Sequence, residues 1–419
     1  MADETSSPKP AKPKPQYRMF ALDVLRGLAI LMVIVHHTGI EEDFGEDGGV
    51  VFHKIAATTW AGVDLFFVLS GFLISGLLFK ELQQTGELQL KRFWLRRGLK
   101  IWPSYFATYG ALVLLLAAND VRLHLWGDLK TRLVETLPNL VFIQNYFHRT
   151  TMWPNSWSLA VEEHFYIAMP LLLVLLSARS RARGEPQPPR FHNFFLGGAV
   201  FCAVILVFRI LDAGRVEPNA YYPTHMRADE LCFGVMLGYV FNYHRPLFDR
   251  LARFWPLYFA FAFGALFLML PLGCPWPGYP PASGQPPHSG HYISAFTVGF
   301  TLLTLGFGGV VLTAAAYPEA GLNAPWIVRG PMKAIAYLGG YSYTIYLSHA
   351  VVMKAPGFHA SIHLARRVVD SNWTGRFMLF AISIPLGILI SHAVERPALK
   401  WREKHLPAHS KTKRAEQAA

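Results

Sequence analysis

Four ionisable residues interrupt the first long apolar stretch, MFALDVLRGLAILMVIVHHTGI (19–40): Asp23, Arg26, His36 and His37. On a helix turning about 100° per residue, Arg26 and His37 lie about 20° apart around the axis and Asp23 lies about 40° from His37. These three share one face, and His36 points elsewhere. A rise of about 1.5 Å per residue puts Arg26 and His37 about 16 Å apart along the axis. That is too far for an ion pair, but it suits the two ends of one polar path. Each residue alone has a plain explanation, since a histidine near a helix end can face water and an arginine can snorkel. Three on one stripe of an apolar segment favour function, because such groups are costly to place there. Neutral imidazole is suited to general-base work near pH 7, and guanidinium to binding phosphate.

Other apolar runs carry chemistry-capable groups in the same way. GVDLFFVLSGFLISGLL holds Asp64 and Ser70, and RRGLKIWPSYF holds Arg96, Arg97 and Lys100. NSWSLAVEEHFYIAMP holds Glu162, Glu163 and His164, THMRADELCFG holds Arg227, and YSYTIYLSHA holds His349. Glu162 and Glu163 are adjacent carboxylates, and the spacing does not choose which of them faces a shared interior. Arg227 and Ser70 are further polar groups set in apolar runs. Asp23, Asp64 and His349 are further polar groups of the same kind. No phosphate-cradling glycine loop, GxSxG elbow or HExxH zinc pattern is present, and no metal site is expected.

The elements that must position these residues follow from hydropathy. The 419 residues are 52% hydrophobic and only 16% charged, where a soluble domain carries about 25% charged residues. The reading is an all-α polytopic transmembrane bundle of about ten spans, centred near 19–40, 57–80, 99–118, 157–177, 194–211, 230–243, 254–272, 292–315, 334–353 and 377–395. Basic connections such as KRFWLRRGLK alternate with less basic ones such as Glu41–Asp47, which places both termini in the cytoplasm. Arg366 and Arg367 run against that trend on the predicted outer side. The domain reading is a disordered basic cytoplasmic tail (1–18), a transmembrane domain (19–397) and a basic cytoplasmic tail (398–419). The Pro- and Gly-rich stretch at 271–291 reads as an irregular outer loop. The net charge of +12 lies in connections and tails, where it orients helices and meets anionic lipid, so nucleic acid is not an expected partner. Cys202, Cys232 and Cys274 show no paired spacing, and no disulfide framework is indicated.

This orientation sorts the polar groups by depth. His37, Asp64, Glu162, Glu163, Arg227 and His349 fall in an outer layer. Arg26, Arg96, Arg97, Lys100 and the closing Glu395-Arg396-Pro397 form a basic inner mouth.

Five segments in order resemble one family, the integral-membrane acyltransferase family 3. LDVLRGLAILMVIVHH resembles its opening motif, an Arg, ten residues and a His, which maps onto Arg26 and His37. GVDLFFVLSGFLISGLL resembles its second-span signature. RRGLKIWPSYF resembles its RRxxRIxPxY motif, with Lys100 where Arg is usual. NSWSLAVEEHFY resembles its SWSLxxEEQFY segment, with His164 in place of Gln. YSYTIYLSHA and the closing ERP also fit. The resemblance implies a multi-pass protein of the cell inner membrane. It implies transfer of an acyl group, acetyl by family frequency, from cytoplasmic acyl-CoA to a hydroxyl of a cell-surface or exported carbohydrate or lipid-linked glycan. Acyl-CoA is then a co-substrate, and no cofactor is permanently bound. In that frame His37 is the general base or an acyl carrier, and Glu162 or Glu163 orients its imidazole or binds the sugar. In the same frame Arg227 or Ser70 steadies the thioester oxyanion. Asp23, Asp64, Ser70, Arg227 and His349 are then acceptor-contacting or structural polar groups, and Arg26, Arg96, Arg97 and Lys100 hold the donor. The competing class is a proton-coupled transporter of a glycan or acyl group, which also needs charge along a membrane path.

Overall fold

The protein is described from a computed structural model over residues 19–38, 58–122, 126–147, 153–182, 191–213, 221–269, 295–354 and 373–407. Among these residues the fold is entirely helical, with no strand. The helices are α1 (Phe20–His37), α2 (Gly62–Thr85), α3 (Leu90–Arg122), α4 (Trp126–Thr136), α5 (Trp157–Ala182), α6 (Phe191–Ala213), α7 (Thr224–Tyr243), α8 (Arg245–Ala252), α9 (Trp255–Met269), α10 (Phe300–Ala316), α11 (Trp326–Gly339), α12 (Ser342–Lys354), α13 (Trp373–Ile390) and α14 (Arg396–His405). Short 3₁₀ turns at Thr59–Ala61, Leu137–Val141, Gln144–Tyr146 and Pro154–Ser156 join them. A π turn at Ser391–Glu395 links α13 to α14.

Among the described residues, seven helical stretches are long and apolar enough to cross a membrane. The burial pattern points the same way. Leu114, Leu175 and Leu211 are 71%, 66% and 66% exposed, whereas Asp64, Arg227 and Glu230 are 0% exposed. Apolar groups outside and charges inside invert the soluble pattern, as expected where the surrounding solvent is hydrocarbon.

Two expected spans differ from what forms. The run at 334–353 is not one helix: α11 ends at Gly339, and α12 starts at Ser342. The break follows from packing. α11 crosses α1 so closely that a Cβ at Gly339 would strike the Asp23 carbonyl, and one at Gly27 would strike the Ile335 carbonyl. The chain then turns at Gly340 to run as α12 against α13. The weak sixth span, 230–243, is the later part of α7, which begins at Thr224. Its first turns were hidden from hydropathy by Arg227, Asp229 and Glu230, all buried.

α2 and α7 share the most extensive helix-to-helix packing among the described residues. Gly71 of α2 faces the Leu231 carbonyl, and Gly234 of α7 faces the Val68 carbonyl, with no room for a side chain. Small residues let helix backbones approach where no hydrophobic force drives them together. α1 packs on α2 and α11, and α6 packs on α7. The 1–18 tail, the acidic stretch 41–47, Arg183, Arg190, Cys274, the loop 271–291, Arg366, Arg367 and the chain after 407 lie outside the described residues.

Candidate active site

His37 closes α1. Its Nδ1 lies 2.8 Å from the Val33 carbonyl oxygen, four residues back. A carbonyl only accepts, so Nδ1 carries the hydrogen and, in the neutral ring, Nε2 keeps the lone pair. The tautomer of this imidazole is thus set by its own helix. Around it is a small cavity of about 30 Å³, lined by Val33, His36, Val63, Asn155, Trp157 and Tyr346 among others. His36 borders the same cavity, its ring 5.1 Å edge-on from His37. The cavity wraps the helix end, so successive residues reach it despite pointing apart. The His349 ring lies 5.0 Å from His37 on the other side. Tyr222, between α6 and α7, also lines the cavity, and burial pushes its phenol up to about 12. It stays neutral near pH 7, a hydrogen-bonding group and not a competing base.

A larger cavity of about 310 Å³ lies next to this one, sharing Val63 and Tyr346 as walls. Arg26, Ser70, Arg97, Lys100, Glu162 and Tyr166 line it. Arg26 pairs with Asp23 at 3.5 Å. The Arg97 guanidinium sits over the Tyr166 ring, 4.5 Å from its centroid, and its Nε is buried with no hydrogen-bond partner. Tyr166 donates to Glu162 Oε2 at 2.8 Å, which leaves its oxygen to accept from Ser70 at 2.5 Å. A third cavity, about 270 Å³, shares Lys100 and Gly340 with the second and is lined by Tyr341, Ser391, Glu395 and Arg396. Lys100 is ion-paired with Glu395, which Ser391 also bonds at 2.8 Å. Arg396 donates to the Tyr341 hydroxyl at 2.5 Å. The cavities therefore run in series, from Arg396 past Lys100, Arg97 and Arg26 to His37.

The structure brings together most of the residues singled out by type, but not all. Arg96 turns away from the cavities and holds α14, bonding the Leu406 carbonyl and pairing with Glu403 at 2.9 Å. Glu163 accepts from Trp102 Nε1 at 3.1 Å, on the α3 side of its helix. Glu162 faces the middle cavity and bonds Tyr166, and Glu163 bonds Trp102, so the hydrogen-bond partner His37 has is the Val33 carbonyl and not the glutamates. Asp64 and Arg227 pair at 2.9 Å with no exposure, Glu230 closes on the same guanidinium at 3.2 Å, and the Phe300 ring caps it at 3.9 Å. This ionic knot lies behind Trp157 and Tyr221, outside the lining of the cavities described above. Its place fits a structural role better than oxyanion binding. Asn155, Tyr166 and Tyr346 were not flagged by residue type. Asn155 and Tyr166 bracket the NSWSLAVEEHFY segment, and Tyr346 lies in the aromatic run before His349; neutral side chains inside apolar text carry no cost signal.

Charges buried within an apolar exterior, and polar cavities that end at a histidine, define a multi-pass membrane protein built around an internal site. The family model for the acyltransferase domain of acyltransferase family 3 matches residues 19–394, and the chain belongs to that family. A Staphylococcus aureus (strain MSSA476) protein with a provisional O-acetyltransferase name is 30% identical over 234 residues, covering 53% of this chain and 35% of that protein. The peptidoglycan O-acetyltransferase OatA of Listeria monocytogenes is 28% identical over 250 residues, covering 56% and 36%. YrhL of Bacillus subtilis (strain 168), provisionally named a peptidoglycan O-acetyltransferase, is 29% identical over 246 residues, covering 55% and 34%. The matches span about a third of the length of each of these relatives. No solved structure matches the chain significantly.

Proposed function

We propose that this chain is an O-acetyltransferase of the cell inner membrane. It moves an acetyl group from cytoplasmic acetyl-CoA to a hydroxyl of an extracytoplasmic, cell-wall glycan, with His37 as general base. In this reading about ten segments cross the membrane and both termini are cytoplasmic. Peptidoglycan is the acceptor favoured by the names of the OatA and YrhL relatives.

The observation that carries the reading is the shared wall of Val63 and Tyr346 between the Arg-lined cavity and the His37 cavity. A phosphate-bearing donor suits the end where Arg396, Lys100 and Arg97 gather, because charge-assisted hydrogen bonds from Arg and Lys hold phosphate. The helical rise of about 16 Å from Arg26 to His37 is comparable to a pantetheine arm laid along α1. The thioester then arrives beside His37 Nε2. That nitrogen takes the proton of the acceptor hydroxyl as the oxygen attacks the thioester carbon. The C–O bond forms, the C–S bond breaks, and the imidazolium returns its proton to the departing thiolate of coenzyme A.

The test is His37→Ala in membranes where insertion is verified. Product formation is expected to fall by about 10²- to 10⁴-fold, the span of a lost general base. Unchanged acetylation would remove His37 from the chemistry, and glycan flux without acetylated product would support a carrier instead.

A further inference from the structure

Asn155 sits where three elements meet. It belongs to the 3₁₀ turn Pro154–Ser156 that leads into α5, and it is 7% exposed. Its side-chain nitrogen lies 2.7 Å from Nε2 of His349, on α12. An amide nitrogen only donates, so His349 accepts at Nε2. The same side chain lines the small cavity that holds His37, at the end of α1. Its backbone is fixed as well: the Tyr346 hydroxyl donates to the Asn155 carbonyl at 2.6 Å. That hydroxyl in turn lies 2.6 Å from Ser158 Oγ. His349 is fully buried and does not line the cavity that holds His37 and Asn155.

An amide has two ends of nearly equal shape and opposite hydrogen-bonding character. Left alone it can present either to a neighbour. A buried acceptor on one side removes that freedom, and here the acceptor is His349. We propose that Asn155 is a positioning residue for acyl transfer, and that His349 acts through it by fixing which way its amide faces His37. His37 is then held by the Val33 carbonyl at Nδ1. The Asn155 oxygen, left over once the nitrogen is given to His349, is turned to the shared cavity to accept from Nε2 when the imidazole takes up its proton. His349 exchanges no proton with substrate in this arrangement. It explains a buried histidine that neither the donor path nor the base requires. The inference rests on the proposed acetyltransferase reading.

The experiment uses the full chain in detergent with acetyl-CoA and a tetrasaccharide of alternating N-acetylglucosamine and N-acetylmuramic acid. It follows coenzyme A release and acetylated product. Asn155→Ala is expected to lower kcat about 100-fold, the effect of misplacing a reacting group by about 1 Å, with KM for acetyl-CoA unchanged. His349→Leu is expected to lower kcat similarly. The double variant should be no worse than either single, because the two act as one unit. His349→Gln, which keeps an acceptor for the amide, should recover kcat relative to His349→Leu. Full additivity, or equal loss in His349→Gln and His349→Leu, would overturn the proposal, as would wild-type kcat in Asn155→Ala. If the wild-type chain forms no product with this acceptor or with cell-wall fragments, the acetyltransferase reading itself fails. That outcome is distinct from an active wild type with indifferent variants.

Discussion

Two adjacent glutamates of similar sequence context have different fates. Glu162 faces the Arg-lined cavity and accepts from Tyr166, whereas Glu163 is turned to Trp102. The sequence offered no means to choose between them, because neighbours on a helix differ by about 100° and either could have faced inward. Glu162→Gln is expected to lower kcat/KM about 10- to 100-fold, in line with weakening a hydrogen bond to a charged group, when initial rates are compared in purified protein. Glu163→Gln should leave initial rates near wild type, and the reverse ranking would show that the helix face has been misassigned. Arg97→Ala should raise KM for acetyl-CoA about tenfold while KM for the acceptor stays constant, since a lost charge-assisted bond is worth about 1.5–3 kcal/mol. Titrating each substrate at saturating levels of the other separates the two effects.

Helix packing decides the next scale, and it was only partly legible. The apolar runs of α1, α2, α3, α5 and α6 stand where hydropathy placed them, because each is long enough to cross a membrane alone. α7 and the α11–α12 break were less legible for a physical reason. α7 opens with charges that are satisfied by partners on other helices, Arg227 by Asp64 and Asp229 by Arg209. A sequence window scores those charges as exposed. The break at Gly339 is fixed by the backbone of α1, which no local window contains. Arg96 went astray for a similar reason: its partners, Glu403 and the Leu406 carbonyl, are far along the chain on α14 and the residues that follow it. Gly339→Val should force α11 from α1 at a cost of about 1–3 kcal/mol or more, seen as a lower thermal midpoint of the purified protein in detergent. An unchanged midpoint would mean that the crossing is looser than described. Arg227→Met should cost about 3–5 kcal/mol by stranding Asp64 and Glu230 without their cation. Asp64→Asn combined with Arg227→Met should recover part of that loss.

Across the whole molecule, the cavities link basic groups at one end to a histidine at the other through a bundle whose exterior is apolar. In the proposed reading the donor approaches the imidazole along these cavities. The most direct measurement is a cryo-electron microscopy map of the full chain with a non-hydrolysable acetyl-CoA analogue. The sulfur position is expected between Val63 and Tyr346 within reach of His37 Nε2, with the phosphates beside Arg97, Lys100 and Arg396. An analogue bound with its sulfur remote from His37, or lying outside these cavities, would contradict the account.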